Sequence, residues 1–251
     1  MTKIKLSILG LLALFLSATI FVACSRGNDE NTLEATTQKG TGLVDPVEFG
    51  KLHNKYLIEA INISNNNRKL SSKQSFMTVK IANVSTTNQS RIYDNISNIS
   101  SVQMKDTIFS YLKNPLAKEY FNKTDIALKN ATTYKELNDE LDNIVLLINT
   151  DLSGKDWDVV MVYLETIRAS ANVWYSEEMG GSGIGYNYRK LNSYNSKISK
   201  QKLPDYILAD GRGAGYGMVA WSFSAFLGPV GGVGFVYGAV SGAVFSSLDA
   251  L

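Results

Sequence analysis

The sequence predicts an all-α fold for the main part of the chain. Apolar residues recur three or four positions apart over much of the stretch from 45 to 203, and only 4 prolines interrupt the chain. Two helix starts carry capping patterns, one at Asp45-Pro46-Val47-Glu48 and one at Thr132 or Thr133 with Glu136 downstream. We therefore expect a domain of about five or six helices.

The first half of this domain divides into four segments. A helix is predicted from the Asp45 cap to the asparagine run at 65–67, and amphipathic residues at 72–100 favour two further helical stretches. The many β-branched residues of 72–100 leave strands open there. A helix at 102–113 should break at Asn114-Pro115 and restart as a short helix at 116–121.

The second half contains the most hydrophobic predicted helix. After the helix that follows Thr133 comes a turn at 151–154, and the stretch 155–178 is apolar on more than one face. Such a helix is buried on several sides, so we expect it to be central. Residues 179–201 are rich in Gly, Ser, Asn and Tyr, which predicts a long loop or a partly ordered excursion.

The C-terminal segment, 204–251, has an unusual composition. No charged residue occurs between Arg212 and Asp249, and glycine is frequent there. Gly228-Pro229 divides the segment, which predicts two short apolar helices folded into a hairpin. The residues expected to pack these helices together or against a membrane are Gly228, Pro229, Gly234, Gly238, Gly242, Trp221 and Phe235.

Three interpretations of this tail remain open at the sequence level. The tail, mainly 213–248, packs inside the globular domain, or it enters or lies on a membrane and self-associates through its glycine face. In the third interpretation the tail disrupts membranes, because the predicted glycine-rich hairpin resembles the glycine-zipper hairpins of some pore-forming peptide bacteriocins. In lipid or in the protein interior, a helix is the structure that pairs every backbone group away from water.

The first 23 residues have the pattern of an export signal. Lys3 and Lys5 precede an uncharged apolar run of about 16 residues, too short for a confident transmembrane helix. The stretch Phe21-Val22-Ala23-Cys24 resembles the lipobox of bacterial lipoproteins, with Phe21 where the family usually has Leu. The resemblance implies cleavage before Cys24 and acylation of that cysteine, and Cys24 is the only cysteine in the chain.

A broader resemblance covers nearly the whole chain. The lipobox, Gly50-Lys51-Leu52-His53-Asn54, Val173-Trp174-Tyr175 and Ala209-Asp210-Gly211-Arg212-Gly213-Ala214 together resemble Bacteroidetes lipoproteins of unknown function with a glycine-rich tail. This resemblance implies an outer-membrane lipoprotein and no particular activity. Asp29 and Glu30 follow Cys24 closely, as in surface-exported members, but Arg26 and Gly27 intervene. The periplasmic face and the cell surface therefore both remain open.

These patterns divide the chain into four parts: a signal peptide at 1–23, a lipidated cysteine with a flexible linker at 24–44, a helical domain at 45–203 and an apolar tail at 204–251. The formal net charge is +2, and Lys3 and Lys5 leave with the signal, so the mature chain is near neutral. Such a chain offers no electrostatic basis for binding nucleic acid. The linker, up to Gly42, is polar and suits a tether.

No catalytic, metal or cofactor site is predicted. His53 is the only histidine, and a lone helical histidine is usually structural, so neither a zinc site nor a Ser/His/Asp arrangement has support. The acidic residues at 136–142 read as a solvated helix face. Tyr186, Tyr188 and Tyr194, expected to be exposed on the loop, leave sugar or peptide binding open.

These observations favour a lipid-anchored, non-enzymatic interaction protein of the cell envelope. Its predicted partners are the membrane, through the acyl chains on Cys24 and the tail, and an unidentified protein or glycan. The first alternative is a membrane-active toxin or bacteriocin-like protein that uses the tail. The second is a glycan-binding surface lipoprotein.

Overall fold

The computed structural model describes residues 39–42, 44–67, 72–80, 90, 94, 97–192, 203–222, 239–240 and 242–244. These residues contain helices and no strand, which confirms the all-α class and excludes strands in the described part of 72–100. Within the same residues, no helix has both the length and the apolar character needed to cross a membrane. The helices are α1 (Pro46–Asn66), α2 (Ser72–Thr78), α3 (Ser101–Tyr111), α4 (Pro115–Asn130), α5 (Tyr134–Asp151), α6 (Gly154–Trp174), α7 (Ile184–Asn192) and α8 (Leu203–Ser222), with a 3-10 turn at Glu177–Met179.

The predicted helix starts are confirmed. The Asp45 carboxylate accepts the backbone N–H groups of Val47 and Glu48, at 2.9 and 3.2 Å, at the start of α1. At the start of α5, the Thr133 hydroxyl accepts from Glu136 N, and the Glu136 side chain accepts from Thr133 N in return. These bonds satisfy donors that have no partner inside the helix.

The predicted break at Asn114-Pro115 is also confirmed, but the helix that follows is longer than expected. Pro115 is the first residue of α4, and the Asn114 side chain caps it by accepting from Leu116 N at 3.0 Å. The helix continues to Asn130, well past the short restart predicted at 116–121. Thr124 and Asp125 lie on its buried face, and these polar residues interrupt the apolar pattern that would have revealed its length.

Helix α6 is the central element, as predicted. Of its 21 residues 14 are buried, because α1, α4, α5, α7 and α8 all pack against it. It ends at Trp174 rather than at 178, and the chain then turns through Gly180, whose φ of 84° suits glycine.

The prediction of a loop at 179–201 is wrong for the segment that forms α7. Tyr188 and Arg189 are both buried in α7, so the expectation that Tyr188 is exposed is wrong as well. The Tyr188 and Ser64 hydroxyls are hydrogen-bonded at 2.8 Å, and the Arg189 guanidinium lies 4.4 Å from the centre of the Tyr206 ring. These contacts to α1 and α8 stabilise a helix whose Gly- and Asn-rich sequence is a weak helix former. With α7, the described residues contain more helices than the expected five or six.

Helix α8 is part of the core. It packs against α6 and α3, and Ile207 and Ala214 have no exposed surface. After Ser222 the next described residues, Ala239 and Val240, are buried too. A Cβ on Gly217 would lie 2.5 Å from the Cα of Ala239, so the two backbones are in close contact there. This contact and the burial of α8 place the described part of the tail inside the domain.

The described chain begins with four residues that lie against the start of α6, although the sequence assigned them to the linker. We call residues 39–42 the N-terminal strap. The Lys39 carbonyl accepts from Gly154 N at 2.6 Å, and Thr41 N donates to the Asp158 carboxylate at 3.2 Å. Gly40 has no room for a side chain, since a Cβ would lie 2.7 Å from the Trp157 ring.

Candidate functional site

Helix α8 places two charged residues in the interior, on either side of Gly211. Asp210 has no exposed surface, and the Arg212 side chain is 14% exposed. A Cβ on Gly211 would lie 2.7 Å from Ile167 Cδ1 and 2.8 Å from the Tyr163 ring. Glycine therefore lets α8 approach α6 closely, and the two charged side chains reach separate groups of partners.

The first group surrounds the Asp210 carboxylate. Ser170 Oγ donates to Asp210 Oδ2 at 2.5 Å, and Trp174 Nε1 donates to the same oxygen at 3.3 Å. His53 Nε2, on α1, lies 3.5 Å from Asp210 Oδ2. The four side chains have no exposed surface. This buried cluster joins α1, α6 and α8, and we call it the Asp210 cluster.

The Asp210 cluster contains the residue types of a hydrolytic triad without its geometry. In a triad the histidine lies between the carboxylate and the nucleophile. Here the carboxylate oxygen of Asp210 contacts both Ser170 and His53, and none of them is accessible to a substrate. The other histidine nitrogen, Nδ1, lies 3.1 Å from the Asn54 side-chain oxygen. The arrangement suits holding three helices in register, in keeping with the structural role predicted for His53.

The second group surrounds the Asp125 carboxylate on α4. Tyr163 donates its phenolic O–H to Asp125, while Lys105 Nζ and Arg212 Nη2 lie 3.0 and 3.2 Å from Asp125 Oδ2. Burial, and secondarily the nearby Asp125 carboxylate, raise the pKa of Tyr163 well above 10.0, so this phenol stays a donor. Arg212 Nη1 also donates to Ser101 Oγ at 2.6 Å. These contacts join α3, α4, α6 and α8.

A cleft opens at the end of the bundle where the N-terminal strap lies. Its volume is about 560 Å³, within the usual range for sites that hold small ligands. The residues that line it come from the end of α3, the start of α6 and α8; they are Thr107, Ser110, Tyr111, Lys113, Ser153, Lys155, Asp156 and Val219. We call it the strap-end cleft, and it is the candidate ligand site.

The acidic residue of the strap-end cleft is turned towards the backbone. The Asp156 carboxylate accepts from Lys113 N at 3.1 Å and from Asn114 N at 2.6 Å, which holds the α3–α4 junction against α6. Asn114 Nδ2 also approaches the Asp151 carbonyl at 3.5 Å, at the end of α5. Among the described residues of the lining, two lysines and one carboxylate give a formal charge of +1. The Thr107 and Ser110 hydroxyls already donate to backbone carbonyls within α3.

The sequence-predicted site residues fall mostly elsewhere. Cys24, Gly228, Pro229, Gly234, Phe235 and Gly238 lie outside the described residues, and of Trp221 only the helical backbone is described. Gly242 is described and is buried. The acidic side chains at 136–142 are exposed on α5, as expected. Among the described residues, no group of three or more His, Cys, Asp or Glu is placed to hold a metal ion.

The sequence alone predicts neither the two buried clusters nor the strap-end cleft. The one available signal was Asp210 and Arg212 themselves, since charged residues at the edge of a long uncharged segment need buried partners or solvent. Their partners come from distant parts of the chain and have no common motif.

Comparisons with models of protein families, with curated proteins and with solved structures found no match for this chain.

Proposed function

We propose that this chain is a lipid-anchored protein of the cell envelope whose helical domain acts by binding rather than by catalysis. The observation that carries the proposal is the placement of Cys24, the only cysteine, directly after an uncharged apolar run preceded by Lys3 and Lys5. Acyl chains on Cys24 would hold the domain at a membrane, because each buried methylene contributes about 0.8 kcal/mol.

The structure of the domain is compatible with a binding role. Two buried polar clusters join its helices, and neither leaves a reactive group open to substrate in the described residues. The strap-end cleft presents two exposed lysines, Lys113 and Lys155, whose charge suits contact with an anion.

The toxin alternative requires the glycine-rich tail to leave the fold. The burial of α8 opposes this, since withdrawal of the helix would separate Asp210 from Ser170 and Trp174, and Arg212 from Asp125. Buried polar groups left without partners cost about 1–3 kcal/mol each. For the residues of the tail outside the described ones, 223–238, 241 and 245–251, membrane contact stays a proposal.

The test separates the lipid anchor from the tail. Wild type and a Cys24→Ala variant exported through a cleavable non-lipoprotein signal are fractionated, washed at alkaline pH and weighed by mass spectrometry. We expect wild type to remain with membranes and to carry the mass of acyl chains, and the variant to be released. A wild-type chain of unmodified mass would refute the lipid anchor.

A second readout tests the tail. If the Cys24→Ala variant stays with membranes after the alkaline wash, the tail itself is a membrane element. Leakage from liposomes then decides between a passive contact and a membrane-disrupting toxin.

A further inference from the structure

Helices α4 and α5 carry most of the large apolar side chains that the described residues leave exposed. The two helices are joined by residues 131–133 and pack against each other, and we call them the α4–α5 hairpin. Seven large apolar side chains are exposed in the described part of the chain, and four of them belong to this hairpin. They are Leu116 and Ile126 on α4, at 36% and 56%, and Leu146 and Leu147 on α5, at 67% and 44%. Exposed apolar residues scattered singly are ordinary, whereas a group on two neighbouring helices indicates a contact surface.

One hydrogen bond between the two helices shows which exposed residues share a face. Tyr120 of α4 donates its O–H to the Asp151 carboxylate of α5. Leu116 precedes Tyr120 by four positions, and it therefore lies one turn from this contact on α4. Leu147 precedes Asp151 by four positions and lies one turn from the same contact on α5. Lys123 follows Tyr120 by three positions, and its ammonium nitrogen lies 5.0 Å from the centre of the Tyr120 ring. The two leucines and Lys123 therefore surround this contact at the outer surface of the hairpin.

The two helices of the hairpin carry opposite charges. Helix α5 has five carboxylates and one lysine, whereas α4 has three lysines and two carboxylates, of which Asp125 is buried. Lys123 and Lys129 on α4 and Glu140 on α5 are exposed, and none of them forms an ion pair with another described residue. Glu140 precedes Leu147 by seven positions, so it lies on the same face of α5. The face is therefore positive along one helix and negative along the other.

We propose that the α4–α5 hairpin is the contact surface between two copies of this chain. A twofold axis relates the copies, so that α4 of one copy lies against α5 of the other and lysines face carboxylates. The four exposed apolar side chains of each copy pack between the two hairpins, which makes the contact a four-helix bundle shared by two chains. The occupant is a second copy because a face with one charge on each helix is matched by the same face turned around. This contact does not depend on the proposed lipid anchor at Cys24.

Sedimentation velocity tests the proposal on the unlipidated chain. The hairpin face is small, since helices of 16 and 18 residues are about 25 Å long and two of them side by side are about 20 Å wide. Such a face is at the low end of specific interfaces, and we expect a dissociation constant on the order of 10 μM. The Cys24→Ala chain of residues 24–251 should therefore change from monomer to dimer between about 1 and 100 μM. A chain that is monomeric throughout would overturn the proposal, even if the wild type proves to be lipidated.

Two matched double variants locate the contact. Ile126→Asn/Leu147→Asn removes two apolar side chains from the hairpin face, and we expect the dissociation constant to rise at least about tenfold, because each change acts twice in a symmetric contact. Val47→Asn/Leu191→Asn makes the same kind of change at residues 49% and 52% exposed on α1 and α7, outside the hairpin, and should leave the dimer unchanged. Circular dichroism should show both variants folded, since all four side chains are exposed. Equal dissociation constants for the two variants would overturn the assignment to the hairpin.

Charge reversal tests whether α4 of one copy meets α5 of the other. Lys123→Glu and Glu140→Lys each place like charges on facing helices of a symmetric dimer, so each variant alone should dimerise at least about tenfold more weakly than the starting chain. In an equal mixture, the reversed α4 of one variant meets the reversed α5 of the other at both halves of the contact. We expect the dimer to form again in this mixture and to weaken when Leu147→Asn is added to either member. A mixture that associates no better than the separate variants would overturn the pairing of α4 with α5.

Discussion

Removal of the Asp210 carboxylate should strongly destabilise the domain. In Asp210→Ala, Ser170 Oγ and Trp174 Nε1 lose a buried acceptor at 2.5 and 3.3 Å, and His53 loses its charged neighbour at 3.5 Å. Each unsatisfied buried group costs about 1–3 kcal/mol. We expect the free energy of unfolding to fall by about 4 kcal/mol, measured by urea denaturation followed by circular dichroism.

Matched variants make this prediction specific. Asp205→Ala removes an exposed carboxylate from the first turn of the same helix, and we expect a loss below about 1 kcal/mol, from the helix dipole alone. Asp210→Asn keeps the volume and one acceptor, so its loss should be intermediate. Ser170→Ala combined with Asp210→Ala should cost at least about 1 kcal/mol less than the sum of the single changes, because both remove the same hydrogen bond.

Unfolding free energies of Asp210→Ala and Asp205→Ala that lie within about 1 kcal/mol of each other would refute this prediction. That result would mean that the Asp210 cluster contributes nothing beyond an ordinary surface charge. The burial of α8 would then depend on its apolar contacts alone.

Two further predictions concern α8 and its neighbours. Gly217→Ala should lower the free energy of unfolding by about 1–3 kcal/mol, since its Cβ would lie 2.5 Å from the Ala239 backbone. Gly215→Ala should be nearly neutral, because the nearest atom, at 3.0 Å, is the terminal methyl group of the Ile108 side chain. Equal unfolding free energies in urea for the two variants would contradict the close backbone contact. The stability of the domain should fall as pH rises above about 10, because burial and Asp125 raise the pKa of folded Tyr163 above 10.0 and the unfolded chain therefore binds fewer protons there. Tyr163→Phe should make this fall shallower in urea titrations between about pH 9 and pH 11, and an unchanged slope would contradict the raised pKa.

Much of the helical framework could be predicted because its signals are local. The Asp45 cap, the Thr133–Glu136 pair and the Asn114-Pro115 break each involve residues within four positions of one another. The burial of α6 on several sides could likewise be predicted, because its apolar residues cover more than one face.

The predictions for 179–201 and for the length of α4 are wrong because tertiary contacts outweigh local preference there. The segment at 184–192 has a loop-like composition, yet Tyr188 and Arg189 form a helix because they bind Ser64 on α1 and pack on Tyr206 of α8. Helix α4 exceeds its predicted length because Asp125 is buried with cationic partners, which no periodicity of apolar residues indicates.

The sequence by itself determined the all-α class, the starts of α1, α4 and α5 and the central position of α6, and it supplied every argument for a lipid on Cys24. Only the tertiary structure decided that α8 lies in the core, that Asp210 pairs with Ser170 and Trp174, and that a cleft with two lysines opens beside the strap. Helix signals arise from neighbours in the chain, whereas the partner of a buried charge is set by which distant helices pack together.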